Sequence, residues 1–314
     1  MRKYILCLGL AAALAVATPA SAQAPGEASA LTAKAIELTK AGKYAEAIPL
    51  AQRALSIREK ELGTNHPDVA NALNSLAFLN QNLGRHREAE PLYQRSLYIK
   101  EKALGLDHPQ VSSSVSNLAG LYRIMGRLAE AEPLFKRSLA IDEKAHGPDH
   151  PDVANSLHNL ALVYWVQNRI EEVEPLFQRA LTIREKAFGS NHPAVAHTLN
   201  NLAGFYRDQG RHQDVEPLFI RVLAMNEQAL GGDHPAIATA LNNLAVLYQE
   251  MGRNADAEPL ATRALAVREK ALGPDHPHVA TTIHNLAELY RTLGRDAEAE
   301  QLFKRAQAIR EKAR

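Results

Sequence analysis

The dipeptide His-Pro returns at a constant interval along this chain of 314 residues. Its histidine stands at positions 66, 108, 150, 192, 234 and 276, so that each step is 42 residues. A fixed period of this length is typical of repeat proteins, in which each unit is one supersecondary element that stacks on its neighbours. This period constrains the fold more strongly than the chain length, which alone would suggest about two domains.

Residues 236–273 show the plan of one unit. Apolar residues in the first half recur at intervals of three and four, as on one face of an amphipathic helix. Those residues are Ile237, Ala240, Leu241, Leu244, Ala245, Tyr248 and Met251. Gly252 follows and ends that helix, because glycine accepts the left-handed conformation of a helix C-terminus. The second half has the same spacing and ends at Gly273, so we predict an antiparallel helix hairpin.

The period predicts seven hairpins over residues 30–314, after a short linker at 23–29. The first covers residues 30–63 and lacks His-Pro, and six more start near Asp68, Gln110, Asp152, Ala194, Ala236 and His278. A single hairpin of this size cannot bury its apolar face, so we expect the hairpins to stack into an all-α solenoid. Gln307 replaces a leucine that the earlier hairpins share, and we expect this polar residue to face solvent as a cap of the array.

Each hairpin after the first is preceded by Asp or Asn, then His, then Pro. Proline suits the first helical turn, and we expect the Asp or Asn to cap the free amides that follow. The histidines lie in equivalent loops 42 residues apart and lack partner ligands at short spacing. We therefore interpret them as part of a repeated turn, and we predict no metal site and no cofactor.

A second proline recurs about five residues into the second helix of each unit, where it removes a backbone hydrogen bond. We expect a local bend or a 3₁₀ first turn there. These prolines are Pro49, Pro91, Pro133, Pro175, Pro217 and Pro259.

Residues 1–22 have the pattern of a secretory signal peptide. Arg2 and Lys3 precede an apolar run, and the small residues 20–22 form a cleavage site before Gln23. The apolar run, of about 12 residues, is too short for a membrane anchor, which needs about 20. We therefore expect an exported protein, periplasmic or secreted, whose mature chain is not inserted in a membrane and has lost its one cysteine, Cys7.

Composition and motifs narrow the function further. The chain has 36 Lys and Arg against 35 Asp and Glu, so its balance gives no sign of a nucleic-acid partner. The sequence contains no phosphate-binding glycine loop, no His-Glu-x-x-His, no Gly-x-Ser-x-Gly and no cysteine nucleophile after residue 22. We predict that the protein is not an enzyme and has no catalytic residues.

The repeat resembles the tetratricopeptide repeat, and in its 42-residue form it is similar to the repeats of kinesin light chains. The resemblance rests on Leu-Asn-Asn-Leu-Ala at 241–245, Glu-Pro-Leu at 258–260, Arg-Glu-Lys at 268–270 and Asp-His-Pro at 275–277. It implies a right-handed superhelix whose first helices line a concave groove that holds extended peptide segments. Kinesin light chains are cytosolic and carry a heptad region that this chain lacks, so their motor partner is not implied.

One row of residues lies in the middle of the first helices, immediately before a core leucine. An amide side chain both donates and accepts hydrogen bonds, so such a row could hold the backbone of an extended peptide without reading its sequence. The similar family uses first-helix asparagines in this way. The alternative is that the row braces neighbouring helices. The row, which we call the asparagine row, is Asn117, Asn159, Asn201, Asn243 and Asn285, with Ser75 in the first position.

Six residues further along each first helix lies a second row, which we call the arginine row. It consists of Gln81, Arg123, Trp165, Arg207, Gln249 and Arg291. Arginines beside a tryptophan would favour an acidic side chain or a C-terminal carboxylate next to an apolar anchor, although solvated surface arginines are also ordinary. Between the rows, Gly120 and Gly204 would leave pockets. A further series one turn from the core is interpreted as packing tyrosines: Tyr122, Tyr164, Tyr206, Tyr248 and Tyr290.

These patterns favour an exported protein-interaction module that binds an extended, possibly acidic, peptide segment of a partner. In that hypothesis Asn159, Asn201 and Asn243 hold the peptide backbone, and Arg123, Arg207 and Trp165 select its side chains. The alternative is a structural or self-assembling scaffold of the cell envelope without a peptide ligand. Such a scaffold would self-associate as its concentration rises, and substitutions in the groove would not affect this association.

Overall fold

The computed structural model describes residues 26–312, which contain fourteen α-helices and no strand. The predicted signal peptide lies outside the described residues. The helices pair into seven hairpins, as predicted, and are α1 Glu27–Lys40, α2 Tyr44–Leu62, α3 Pro67–Asn82, α4 His86–Leu104, α5 Pro109–Ile124, α6 Leu128–His146, α7 Pro151–Val166, α8 Ile170–Phe188, α9 Pro193–Asp208, α10 His212–Leu230, α11 Pro235–Glu250, α12 Asn254–Leu272, α13 Pro277–Thr292 and α14 Asp296–Lys312. Helix α1 begins three residues before the predicted start at 30.

The chain divides after Ile183 into two compact units. In the first unit, each hairpin shares its core with the next one. Leu55 of α2 packs against Val69 and Leu73 of α3, and Leu139 of α6 packs against the buried cluster of α7 and α8. Burial of these leucines between hairpins provides the hydrophobic contribution that a single hairpin cannot make alone.

The second unit repeats this arrangement. Leu223 of α10 packs against Ile237 and Leu241 of α11, and Leu265 of α12 packs against the cluster of α13 and α14. The residue at the corresponding position of α14 is Gln307, which is exposed, as expected for this polar replacement. Among residues 26–312, no helix combines the length and the apolar character that a membrane span requires.

The capping residue of the first helices differs from the prediction. The histidine, and not the Asp or Asn before it, is the N-cap: its Nδ1 accepts a hydrogen bond from the backbone N–H two residues on, at 3.1 to 3.3 Å. Proline removes the first free N–H, and the extended backbone of the histidine brings its ring over the second. Asp233 instead accepts from Lys270 Nζ at 2.6 Å.

The prolines within the second helices interrupt nothing. Pro49 and Pro91 are the sixth residues of α2 and α4, and both helices are α-helical from their first residue. Of the two alternatives, the 3₁₀ first turn is therefore wrong, and the local bend stays a prediction. Each proline removes only the hydrogen bond to the carbonyl four residues earlier, which lies in the first turn of the helix. In the first helices, by contrast, the predicted stop is confirmed, because Gly252 after α11 has a φ of +74°.

Candidate peptide-binding face of the first helices

Both predicted rows lie on the first helices α5, α7, α9, α11 and α13, on the face that the core does not cover. Along α11, for example, Leu241, Leu244 and Tyr248 are buried, whereas Asn243 and Gln249 are partly exposed. The asparagine row is half-buried at all five of its asparagines. The face therefore carries polar side chains whose donors and acceptors can be traced one by one.

Two asparagines of the row brace neighbouring hairpins. In the first unit, Asn117 Nδ2 donates to Asn74 Oδ1 of α3 at 2.9 Å. In the second unit, Asn285 Nδ2 donates to Asn242 Oδ1 of α11 at the same distance. The bracing alternative is therefore correct for these two residues, and each keeps its own side-chain oxygen as a further acceptor.

The other three asparagines behave differently. Asn201 Nδ2 donates to the backbone carbonyl of His197, one turn earlier on α9, at 3.0 Å. Within the described residues, the side chains of Asn159 and Asn243 form no hydrogen bond. Asn117 donates to Asn74, and the residue at the position of Asn74 one repeat later is Ser116. The Ser116 hydroxyl, which would face Asn159, is instead hydrogen-bonded to the Ser138 hydroxyl at 2.9 Å. The side-chain amides of Asn159 and Asn243 thus keep their hydrogen-bond donors and acceptors available within the described part of the chain.

The arginine row is half-buried as far as Gln249, and Arg291 is exposed. Arg123 Nε and Gln81 Oε1 are buried and have no hydrogen-bond partner among the described residues. Burial lowers the pKa of the Arg123 guanidinium, which means that the charge is held at a cost that an acceptor would offset. Arg291 differs, because it pairs with Glu288 on its own helix.

Surface between the rows is open at one of the predicted pockets. A Cβ added at Gly120 would meet no atom within 4 Å. Leu162, at the equivalent position of α7, is only 8% exposed, whereas Val246 of α11 is partly exposed. The size and the exposure of the side chain between the two rows therefore change from one hairpin to the next.

The predicted packing tyrosines are core residues. Tyr122, Tyr164, Tyr206 and Tyr248 are buried, and Tyr290 is partly buried. Their hydroxyls reach the edge of the core, as when Tyr248 donates to Glu216 Oε1 at 2.8 Å. Each ring is covered by an arginine from the turn that follows, with the guanidinium carbon 3.7 to 4.1 Å from the ring centre: Arg127, Arg169, Arg211, Arg253 and Arg295.

Sequence reasoning missed these arginines, although their constant offset from the tyrosine was visible. Four of them join hairpins within a unit, because the same guanidinium that covers the ring also reaches a glutamate of the preceding hairpin. Arg127 Nη1 lies 2.8 Å from Glu90 Oε2 in the first unit, and Arg253 Nη1 lies 2.9 Å from Glu216 Oε1 in the second. Within each unit, this clamp ties the end of one first helix, and the row residues on it, to the preceding hairpin.

The family follows from a comparison with known repeats. The tetratricopeptide repeat model matches overlapping segments of the chain at 26–102, 68–119, 110–186, 165–216, 194–270 and 237–312. The chain therefore belongs to the tetratricopeptide repeat family, whose repeats serve as scaffolds for protein interactions. A search of curated proteins found no match.

Among solved structures, the chain is similar to kinesin light chain-like repeat proteins. Nearly identical TPR-like repeats of a Podosopora anserina kinesin light chain protein are 29% identical, cover 66% of this chain and 98% of their own, and give a TM-score of 0.59. BtubC (BKLC) from P. vanneervenii is 23% identical, with coverages of 76% and 91% and a TM-score of 0.60. A Rap protein complexed with competence and sporulation factor shares the fold at 15% identity, 91% and 77% coverage and a TM-score of 0.58.

Proposed function

We propose that this protein is an exported interaction module that binds an extended segment of a partner protein along its first helices, without catalysing a reaction. The observation that carries the proposal is the divided asparagine row. Asn117 and Asn285 hold hairpins together, while Asn243 and Asn159 present amides that the described residues leave without hydrogen bonds. An extended peptide offers the backbone N–H and C=O groups that such amides bind.

The arginine row gives the proposed ligand its chemistry. Arg123 has a buried Nε without a partner, and Arg207 forms no ion pair within the described residues. At either position, a carboxylate from an acidic side chain or a peptide C-terminus would supply the acceptors that the guanidinium group lacks. The fold of the Rap protein that is complexed with competence and sporulation factor is similar, and this supports the use of such a solenoid as a receptor for a ligand.

Export rests on the sequence alone. Residues 1–22 have the basic start, apolar run and small-residue end of a signal peptide. Sequencing the N-terminus of the protein recovered outside the cytoplasm tests this part, and the proposal requires that it begin at Gln23. Recovery of the intact chain with Met1 in the cytoplasm would contradict export and leave the binding proposal standing.

The binding test starts from a random peptide library that is selected on the purified chain. Peptides that bind are then titrated against the variant Asn201→Ala, Asn243→Ala, which alters the asparagine row of the second unit. The control is Gln213→Ala, Thr262→Ala, at exposed positions of the second helices α10 and α12. We expect at least about a tenfold loss of affinity, or 1.4 kcal/mol, in the first variant and none in the control.

Equal binding by both variants would reject the asparagine row as the ligand site. The scaffold alternative has its own basis in exposed apolar side chains of the second helices, such as Tyr98 at 56% and Ile220 at 46% exposure. Light scattering over a range of protein concentrations separates the two functions. A mass that rises with concentration, together with a failure to select any peptide, would favour the scaffold.

A further inference from the structure

Three potential metal ligands converge in the loop between α6 and α7. His146 Nε2 lies 3.9 Å from Asp152 Oδ2, and His150 Nδ1 lies 3.5 Å from the same oxygen. One ligand atom from each of the three residues lies within 4.8 Å of the other two. The side chains are 29%, 40% and 45% exposed for His146, His150 and Asp152 respectively, so an ion could enter from solvent.

Only one hairpin junction carries this combination of residues. His146 stands where other copies have an apolar side chain, namely Leu62, Leu104, Phe188, Leu230 and Leu272. Asp152 stands at a position that is otherwise occupied by Asp68, Gln110, Ala194, Ala236 and His278. The copy with Asp68 lacks the first histidine. The repeat therefore explains His150, which all six junctions share, but it does not explain His146 or its coincidence with Asp152.

The spacing is close to that of an occupied site. With ligand bonds of about 2.0 to 2.1 Å, the ligand atoms of a tetrahedral zinc site are about 3.3 Å apart. The two distances to Asp152 Oδ2, 3.9 Å from His146 and 3.5 Å from His150, exceed this value by roughly 0.6 and 0.2 Å. The two imidazole rings are stacked, with centroids 4.3 Å apart and planes inclined by 23°, so binding requires the rings to tilt apart.

One competing interaction is weak at this junction. His150 Nδ1 caps α7 by accepting from the Asp152 N–H at 3.3 Å, which is the longest of the six equivalent bonds. A cap of this kind contributes about 1 kcal/mol. Coordination of a metal ion by the same nitrogen would readily offset that loss.

We propose that His146, His150 and Asp152 form a binding site for a divalent transition-metal ion of the Zn²⁺ type. Two imidazole nitrogens and one carboxylate oxygen suit this ion, and a water molecule would complete four-coordination. His146 is the last residue of α6, whereas His150 is the N-cap of α7 and Asp152 lies in its first turn. The bound ion therefore links the end of the third hairpin to the start of the fourth and adds to the apolar packing between α6 and α7.

The test uses the untagged chain and Zn²⁺ alone, measured by isothermal titration. The variants restore residues that other copies carry, His146→Leu and Asp152→Ala, so both are expected to fold, which circular dichroism checks. His234→Ala is the matched control, because it removes a capping histidine at a junction where neither of the other two ligands is present. We expect one equivalent of Zn²⁺, at least about a tenfold loss of affinity in each variant, and no loss in the control.

Two further results decide between coordination and ring stacking alone. Phe188 stacks on His192 with centroids 4.5 Å apart, so a stacked pair at this position can serve packing only. Co²⁺ bound by the parent should give the visible absorption of a four-coordinate site, and His146→Leu should lack it. Failure to bind one equivalent of Zn²⁺, or binding by His146→Leu as tight as that of the parent, would overturn the proposal.

Discussion

The guanidinium carbon of Arg127 lies 4.1 Å from the centre of the Tyr122 ring, while its Nη1 lies 2.8 Å from Glu90 of the preceding hairpin. One side chain thus covers the edge of its own hairpin's core and contacts the neighbour. An arginine over an aromatic ring is stabilising even when it is partly exposed, and its packing is not reproduced by lysine. The ring contact recurs at the other four tyrosines, so its contribution can be measured copy by copy.

Arg127→Ala should lower the melting temperature by about 2 to 4 °C, because it removes the ring contact and the bond to the neighbouring hairpin. The matched control is Arg85→Ala. Arg85 has the same position in the second hairpin, but Asn80 replaces the tyrosine there. Thermal unfolding followed by circular dichroism compares the two variants, and an equal shift in both would contradict the clamp.

A buried position of the second helices should respond in opposite ways in two copies. Lys100 is 6% exposed, forms no hydrogen bond or ion pair within the described residues, and has its pKa lowered by burial. Lys100→Met should therefore raise the unfolding free energy by about 1 kcal/mol. The equivalent Arg268 donates to Thr282 and, at 2.8 Å, to Thr239.

Arg268→Met should accordingly lower the unfolding free energy by about 2 kcal/mol, because two buried hydrogen bonds to a charged group are lost. Urea titrations of both variants provide the measurement. Destabilisation by Lys100→Met would contradict this expectation, because it would mean that the Lys100 ammonium stabilises the fold.

His197 should make the protein sensitive to acid. Burial, with a smaller effect of the Arg184 charge, lowers the pKa of His197 to about 4 from 6.5. Between these values the unfolded chain binds a proton that the folded chain does not, so stability falls as the pH is lowered through this window. The expected loss from this group between pH 7 and pH 5 is about 2 kcal/mol.

The replacement His197→Thr, which is the residue at the equivalent Thr239 and Thr281, removes this part of the acid sensitivity. Unfolding free energies of parent and variant are compared at pH 7 and pH 5. The difference between them should grow in the variant's favour as the pH falls. A difference that is independent of pH would show that the histidine titrates alike in both states.

Stability should separate the two kinds of asparagine in the row. Asn117→Ala should cost about 1 kcal/mol, because it leaves Asn74 Oδ1 without its donor at 2.9 Å. Asn159→Ala should change the unfolding free energy by less than about 0.5 kcal/mol, as for a surface position. Urea unfolding checks both values. A large cost for Asn159→Ala would mean that its amide braces the fold too.

What repeats in this chain was predictable from its sequence, and what differs between copies was not. The period placed the seven hairpins, the tyrosine core and the leucine shared by neighbouring hairpins. The capping residue was assigned wrongly. The side chains of Asp107 and His108 can both accept a hydrogen bond from a free amide, and only the backbone geometry favours the histidine.

The functional rows show the same limit. Asn117 and Asn159 have the same position in their own helices, but their hydrogen bonding differs. Asn117 faces Asn74, whereas the equivalent residue for Asn159 is Ser116. Such a pairing joins residues 43 positions apart, and its distance depends on how two hairpins pack. The grouping of His146 with Asp152 was missed for a similar reason. The period identifies the histidines that all six junctions share, whereas His146 occurs at one junction alone.

Site-specific photo-crosslinking inside the producing cells shows whether a partner lies along the first helices. A photoreactive amino acid is placed at Val246, which lies between the two rows on α11, and separately at Ala266, which is exposed on the second helix α12. We predict a crosslink to an extended segment of one partner from position 246, abolished by Asn201→Ala, Asn243→Ala, and no crosslink from position 266. Crosslinks from position 266 alone, or only to further copies of this chain, would contradict this prediction.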